Sequence, residues 1–425
     1  PINLSIFYPG PGLDGFGAYN RHAAALLYWL IATLIFVQSA RGRTVLVAVF
    51  MLALFLTKIT GAAVGAILVG YACLAGRLRV MEAGAAALAC IAALALLDLP
   101  TGLIRAYVGD ILTLLRLNSE TLLPRLLTVA SANFGIVLPA SALIGLLLWA
   151  EWRSDEGNAW ERLRRVVAGP AGWLAAVMAA LAVFETQNTG SLEFIGVWPV
   201  LYLLLTQWRR QARPFGPVVV VLALAVVLPS LMQSLQRGAR ALAGMAGDVV
   251  ALPAPEVGPL GRVSLKRGLA ERAELMLQLY PRHAATFAAY ADRGLEPSSL
   301  FYAEPDNQAT WLLEVRQGLL ALRDWEAREQ RRLNGVFTLD FVEPFNALLG
   351  RSPVHGVPLG ITPGRNLPPL DERVLASLAA TDAILVPKCP PTPARLTLAS
   401  HYAPALVGRR PVALAPCWDM YVTAR

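Results

Sequence analysis

Residues 44–76 read TVLVAVFMLALFLTKITGAAVGAILVGYACLAG, an apolar run bounded by Arg43 and Arg77 and interrupted by a single charge, Lys58. As one helix it would be roughly 50 Å long at about 1.5 Å per residue, against a hydrocarbon core of about 30 Å. The chain must therefore tilt steeply or turn back near Thr57 and Lys58. Lysine is rare throughout, with Lys58, Lys266 and Lys388 standing among 37 basic residues. A charge at membrane depth costs on the order of 2.5–3.5 kcal/mol on insertion scales, so the path of this run decides what Lys58 can do.

The rest of the chain places that run in a polytopic membrane protein. A hydrophobic fraction of 56%, 16% charged residues and a mean hydropathy of +0.52 are not those of a soluble enzyme. Further uncharged stretches occupy residues 23–37 and 216–232. The net charge of +8 does not mark a nucleic-acid binder, because the arginines cluster at the ends of apolar segments, where they set topology. Arginine, alanine and leucine dominance suggests a GC-rich bacterial genome. The sequence begins at Pro1 without Met or a basic signal-peptide region, which reads as a chain whose beginning lies upstream.

Hydropathy gives about eight passages or half-passages within residues 1–236, near 23–39, 45–57, 60–76, 80–98, 127–150, 167–185, 192–207 and 216–235. If 44–76 is a hairpin, the clusters Arg41/Arg43, Arg77/Arg79, Arg153/Arg162/Arg164/Arg165 and Arg209/Arg210/Arg213 all share one side, the cytoplasm. A single crossing would put the last three clusters outside, against the positive-inside bias. The hairpin then places loop 1–22, the tip at Lys58, segment 99–126, turn 186–191 and everything past about 236 outside the cytoplasm, in a bacterial inner membrane. Segment 99–126 carries leucines at helical spacing with Arg105, Asp110 and Arg116 between them, the pattern of an interfacial helix or of an ordinary connector.

From about residue 237 the composition changes. Residues 237–262 read as a tether. Residues 263–425 read as a periplasmic α/β domain: charged helices at 264–280 and 308–333, strand-like runs at 336–341, 383–388 and 411–422, and helical patterns at 371–380 and 393–403. That alternation predicts a small, largely parallel sheet. The Pro/Gly-rich stretch 350–369 is a candidate binding loop. Cys73 and Cys90 lie in membrane segments, whereas Cys389 and Cys417 fall in the exported domain, where a disulfide is permitted.

Three places concentrate polar residues at the outer edge. Asp14 precedes Tyr19, Asn20, Arg21 and His22, which form either an aromatic and basic anchor or an acid/base or metal-binding carboxylate beside a phosphate clamp. The turn after residue 184 carries Glu185, Gln187, Asn188 and Glu193, more carboxylates than a structural turn needs. Lys58 is either a snorkelling tip or a contact for a lipid-linked phosphate, with Arg105, Arg116 and Arg125 able to add to it. His283, His355 and His401 have no metal spacing, and there is no GxSxG.

Outer-face acids and cations, broken helices, an interfacial helix and an exported C-terminal α/β domain together resemble the GT-C superfamily of integral-membrane glycosyltransferases. The resemblance implies sugar transfer from a polyprenyl-phosphate donor to a glycan, lipid or protein acceptor at the periplasmic face. It makes Asp14 the first-loop base or metal ligand, with Glu185 as a second acid. Lys58, Arg21 and Arg105 would bind donor phosphate, and Tyr19, Asn20, Gln187 and Asn188 would line the substrate. No cofactor is implied beyond a divalent metal. A paired acidic motif and a WWDYG-type signature are absent from the sequence. The alternatives are a membrane scaffold with a partner-binding exported domain, and a polar-lipid transporter, which would need charged or broken positions deep in several helices.

Overall fold

The structure is a computed structural model and describes residues 18–117, 122–153, 158–186, 194–211, 216–245, 247–295, 305–357, 360–364 and 367–423. These residues form two compact units. One is helical, from residues 18–110 and 122–239. The other contains residues 240–423 together with 111–117.

The helical unit contains α1 (Ala18–Phe36), α2 (Ala40–Thr57), α3 (Ile59–Leu74), α4 (Val80–Thr101), α5 (Leu103–Leu117, whose last turns belong to the second unit), α6 (Leu122–Ala132), α7 (Phe134–Trp152), α8 (Ala159–Ala168), α9 (Pro170–Glu185), α10 (Trp198–Gln211) and α11 (Gly216–Met245). Among the described residues, four stretches are long and apolar enough to cross a bilayer: Ala40–Thr57, Val80–Thr101, Phe134–Trp152 and Gly216–Gln236. A fifth span arises if α8 and α9, bent by 57° at Gly169, are counted as one. Among the described residues the apolar segments expected from hydropathy fall on helices, with 127–150 divided at Asn133 between α6 and α7 and 167–185 divided at Gly169 between α8 and α9. α1 is the inner helix, burying Leu27, Leu30, Ile31 and Leu34, whereas α4 buries Ala86 and, away from α2, exposes apolar side chains such as Met81, Leu88, Ile91, Leu96 and Leu99. A helix apolar on every side suits lipid.

The long run does turn back. Thr57 ends α2 and Ile59 opens α3, leaving Lys58 as the single extended residue between them. Its N–H donates to Leu54 O at 2.7 Å, and Ala62 N–H donates to Lys58 O at 3.2 Å, so both helix ends are closed through this one residue. Gly61 faces Leu54, and Gly65 faces Met51 and Leu54, so a Cβ on Gly65 would lie 2.9 Å from Met51 Sδ. In one straight helix residues 51 and 65 would stand roughly 21 Å apart; pairing about Lys58 identifies a hairpin.

Its open end gathers the arginines. Arg43 donates to Val37 O and pairs with Glu82 at 2.5 Å, Arg165 pairs with Glu151 at 2.7 Å, and Tyr71 donates to Val167 O at 2.7 Å. Arg77 and Arg79 lie in the link from α3 to α4, and Arg209 and Arg210 close α10. The tip, the first turn of α1 and the end of α9 lie at the opposite end of the unit, where Lys58 meets Asn20 and Phe184.

The α/β unit departs from the expected sheet. Its strands are β1 (Val249–Ala251), β2 (Ser264–Lys266), β3 (Val336–Thr338), β4 (Ala383–Pro387), β5 (Arg409–Ala415) and β6 (Trp418–Thr423). Its helices are α12 (Arg267–Arg282), α13 (Ala284–Asp292), α14 (Pro305–Glu329), α15 (Phe345–Leu348), α16 (Glu372–Ala379), α17 (Pro393–His401) and α18 (Ala403–Leu406). The main sheet has the order β3-β4-β6-β5, in which β3 and β4 are parallel while β4–β6 and β5–β6 are antiparallel. The sheet is mixed because 411–422 is not one strand: the chain folds at Pro416-Cys417 into a hairpin. Two residues can join antiparallel neighbours, but a parallel pair needs a crossover of a dozen or more.

The expected tether at 237–262 is also structured. α11 continues to Met245, β1 pairs with β2, and Leu252, Ala254 and Val257 are buried in the core beside Trp325, Phe345 and Trp418. Cys389 and Cys417 are bonded, with Cα atoms 5.0 Å apart, tying the end of β4 to the β5–β6 turn.

Candidate functional site

Lys58 owes its position to the one-residue turn, which projects it from the hairpin tip toward the first turn of α1. Its Nζ donates to Asn20 Oδ1 at 2.7 Å and lies 5.1 Å from the Tyr19 ring centre and 5.8 Å from that of Phe184. A cation between two aromatic faces and an amide oxygen is held by complementary electrostatics, each ring contributing on the order of 0.5–1 kcal/mol. Glu185, the next residue after Phe184, acts electrostatically on the same ammonium. Asn20 and Arg21 are buried, whereas Tyr19 is half exposed.

Of the residues expected here, the fold brings together Lys58, Tyr19, Asn20 and Glu185, with Arg21 on the same first turn of α1. Arg105 is engaged elsewhere: Nε donates to Asp98 Oδ2 at 2.8 Å, and its side chain is 78% exposed. Asp98 also accepts from Ile104 N and Arg105 N at 2.9 and 3.0 Å, capping α5. The helix carrying Arg105 nonetheless packs at the tip, since Tyr107 meets Phe55 edge to face at 5.5 Å and hydrogen-bonds the Ile59 backbone. Asp14, Gln187, Asn188 and Glu193 lie outside the described residues. Among the described residues, no group of three His, Cys, Asp or Glu side chains could hold a metal ion.

The α/β unit contains a buried charge cluster that local spacing did not reveal. Arg395, in the first turn of α17, donates to Glu314 Oε1 and Oε2 at 3.2 and 3.1 Å, to Asp340 Oδ2 at 2.7 Å and to Cys389 O at 2.7 Å. Burial pushes Glu314 up to about 7, against the pull of Arg395. Burial also works against the Arg395 charge, but Asp340 and Glu314 more than offset it, so its shift is upward. The two directions conflict for a simple Glu314–Arg395 pair. Two carboxylates facing one guanidinium reconcile them: Asp340, the closer, is the counter-charge, and Glu314 holds the proton near neutral pH. Glu314 O also accepts from Trp418 Nε1 at 2.7 Å, which binds α14 to the sheet. Glu343 is raised by burial as well, although the Asn346 and Phe345 amides donate to it. These contacts join the ends of β3 and β4 to α14 and α17, and an architectural tie accounts for all of them.

No protein-family model, curated protein or solved structure matches this chain.

Proposed function

We propose that this chain is an integral-membrane glycosyltransferase of the GT-C type, moving a sugar from a polyprenyl-phosphate donor to a glycan, lipid or protein acceptor at the periplasmic face of a bacterial inner membrane. The observation that carries the reading is the Lys58 cluster: a cation, an acid, an amide and two aromatic rings gathered at a helix-hairpin tip, away from the arginine-rich end. In this reading the arginine-rich end faces the cytoplasm, as the positive-inside bias requires. A donor lipid entering from the outer leaflet would present its phosphate at the height of Lys58. A carboxylate, Asp14 or Glu185, would take the acceptor hydroxyl's proton as the acceptor oxygen bonds to the anomeric carbon. The carbon–oxygen bond to the phosphate then breaks, and its electron pair leaves with the phosphate, whose charge Lys58 would balance.

The test compares envelope glycans and donor lipids in cells lacking the protein with cells carrying the wild type, Lys58→Met or Glu185→Gln. The expected result is loss of one sugar from the acceptor and accumulation of its lipid donor in the deletion, reproduced by Lys58→Met at wild-type membrane abundance. Full restoration by both variants would overturn the site, and an unchanged glycan and donor pool in the deletion would favour the scaffold.

A further inference from the structure

The opposite end of the helical unit holds a cavity of about 260 Å³ where α7, α8, α9 and α10 meet. Its wall is largely aliphatic, with Leu147, Val166 and Leu204, and its polar lining is Glu151, Arg165 and Gln207. Glu151 and Arg165 lie 2.7 Å apart, and both are partly open to the surface. The bend at Gly169 beside the cavity is closely packed: a Cβ there would strike Arg165 O at 2.6 Å, and one on Gly172 would strike Tyr71 Oη and Val166 O.

The surroundings set its depth in a bilayer. Glu151 is in the last turn of α7, an apolar helix of crossing length, and Gln207 is near the end of α10. α8 is amphipathic, capped by Asn158 accepting from Glu161 N, and exposes Trp160 and Leu163 beside Arg164. Trp149 and Trp152 are exposed on α7. The Arg153 and Arg164 guanidinium groups stack 4.6 and 5.3 Å from the Trp149 and Trp160 ring centres. Tryptophans paired with arginines beyond the apolar helix bodies are the composition of a membrane–water boundary.

We propose that this cavity binds the headgroup of a phosphoethanolamine phospholipid, with the phosphate joining Arg165 and the ammonium joining Glu151 on either side of their ion pair. One guanidinium and one carboxylate in the same small lining complement a zwitterion. An anionic headgroup would set its charge against Glu151, and a choline headgroup has no N–H to donate to the carboxylate. The inference rests on the membrane reading of the apolar helices and is independent of sugar transfer.

The experiment is native mass spectrometry of the full chain released from bilayers of equimolar phosphatidylethanolamine, phosphatidylglycerol and phosphatidylcholine. One phosphatidylethanolamine should be retained with a preference on the order of fivefold over either competitor, the selectivity of a partly screened charge contact. Glu151→Gln should reduce that preference to the level of phosphatidylcholine, and Ala168→Trp, which fills the cavity from its rim, should abolish retention. Equal or preferred retention of phosphatidylglycerol by the wild-type protein overturns the proposal without any variant. Undiminished preference in both variants would also overturn it.

Discussion

The Glu314–Arg395–Asp340 cluster permits a quantitative test of how the α/β unit is held together. Arg395→Met keeps an unbranched apolar stem but leaves two buried carboxyl groups facing no guanidinium, and it removes the donors to Cys389 O and Pro390 O. Breaking a buried ion pair on one side costs about 3–5 kcal/mol. Glu314 adds a pH signature. Its carboxyl is held at about 7 in the folded chain, above its ordinary value of 4.5. The folded state therefore binds this proton more tightly than the unfolded one. Its stabilisation is complete below about pH 4.5 and is lost as the pH rises through about 7. Between pH 6 and pH 8 the expected loss is about 1.4 kcal/mol, one decade of proton affinity. The assay is urea unfolding of the full chain in detergent micelles with pulse proteolysis, following survival of the C-terminal unit at both pH values. Glu314→Gln should unfold at the same urea concentration at both, while the wild type unfolds earlier at pH 8. A wild type no less stable at pH 8 refutes the assignment of the proton to Glu314, and an Arg395→Met cost below about 1 kcal/mol refutes the role of Arg395 as the cluster's counter-ion.

Two further outcomes follow from packing and covalent structure. Gly65→Leu places atoms against Met51 and Leu54 in the hairpin and Leu30 of α1 and should lower stability by about 1–3 kcal/mol in thermal melts, whereas Gly70→Leu, with nothing within 4 Å, should not. Replacing Cys389 and Cys417 together with serine opens a loop of sequence separation 28 and should cost about 3–4 kcal/mol, read by the same urea assay, with loss of the non-reducing gel shift expected of the disulfide-bonded wild type.

What the sequence disclosed depends on the range over which its physics acts. The apolar segments and the hairpin were legible because length and charge speak locally: residues 44–76 are too long for one crossing, and Lys58 marks the break. The sheet was misread at 411–422 because an apolar run with alternating positions does not show that Pro416-Cys417 reverses it. The supposed tether at 237–262 has a linker's proline and glycine content, yet Leu252 and Val257 find a core that only the folded chain supplies. Tyr19, Asn20, Lys58 and Glu185 meet because the topology puts them at one end of the unit. The engagement of Arg105 is not legible in its spacing from Lys58, since Asp98, seven residues earlier, serves as both its helix cap and its counter-ion. The buried cluster was invisible, since Glu314 and Arg395 are 81 residues apart and no spacing rule spans that distance.

The one-residue turn at Lys58 has a mechanical consequence for the surrounding lipid. α3 has 16 residues, roughly 24 Å of helix, which falls short of an average hydrocarbon core by about 6 Å. A short apolar element draws the nearby leaflet inward rather than leaving its own end stranded. In the membrane reading proposed above, a bilayer that accommodated so short a helix would thin beside the hairpin, and lipid headgroups would descend toward the lysine.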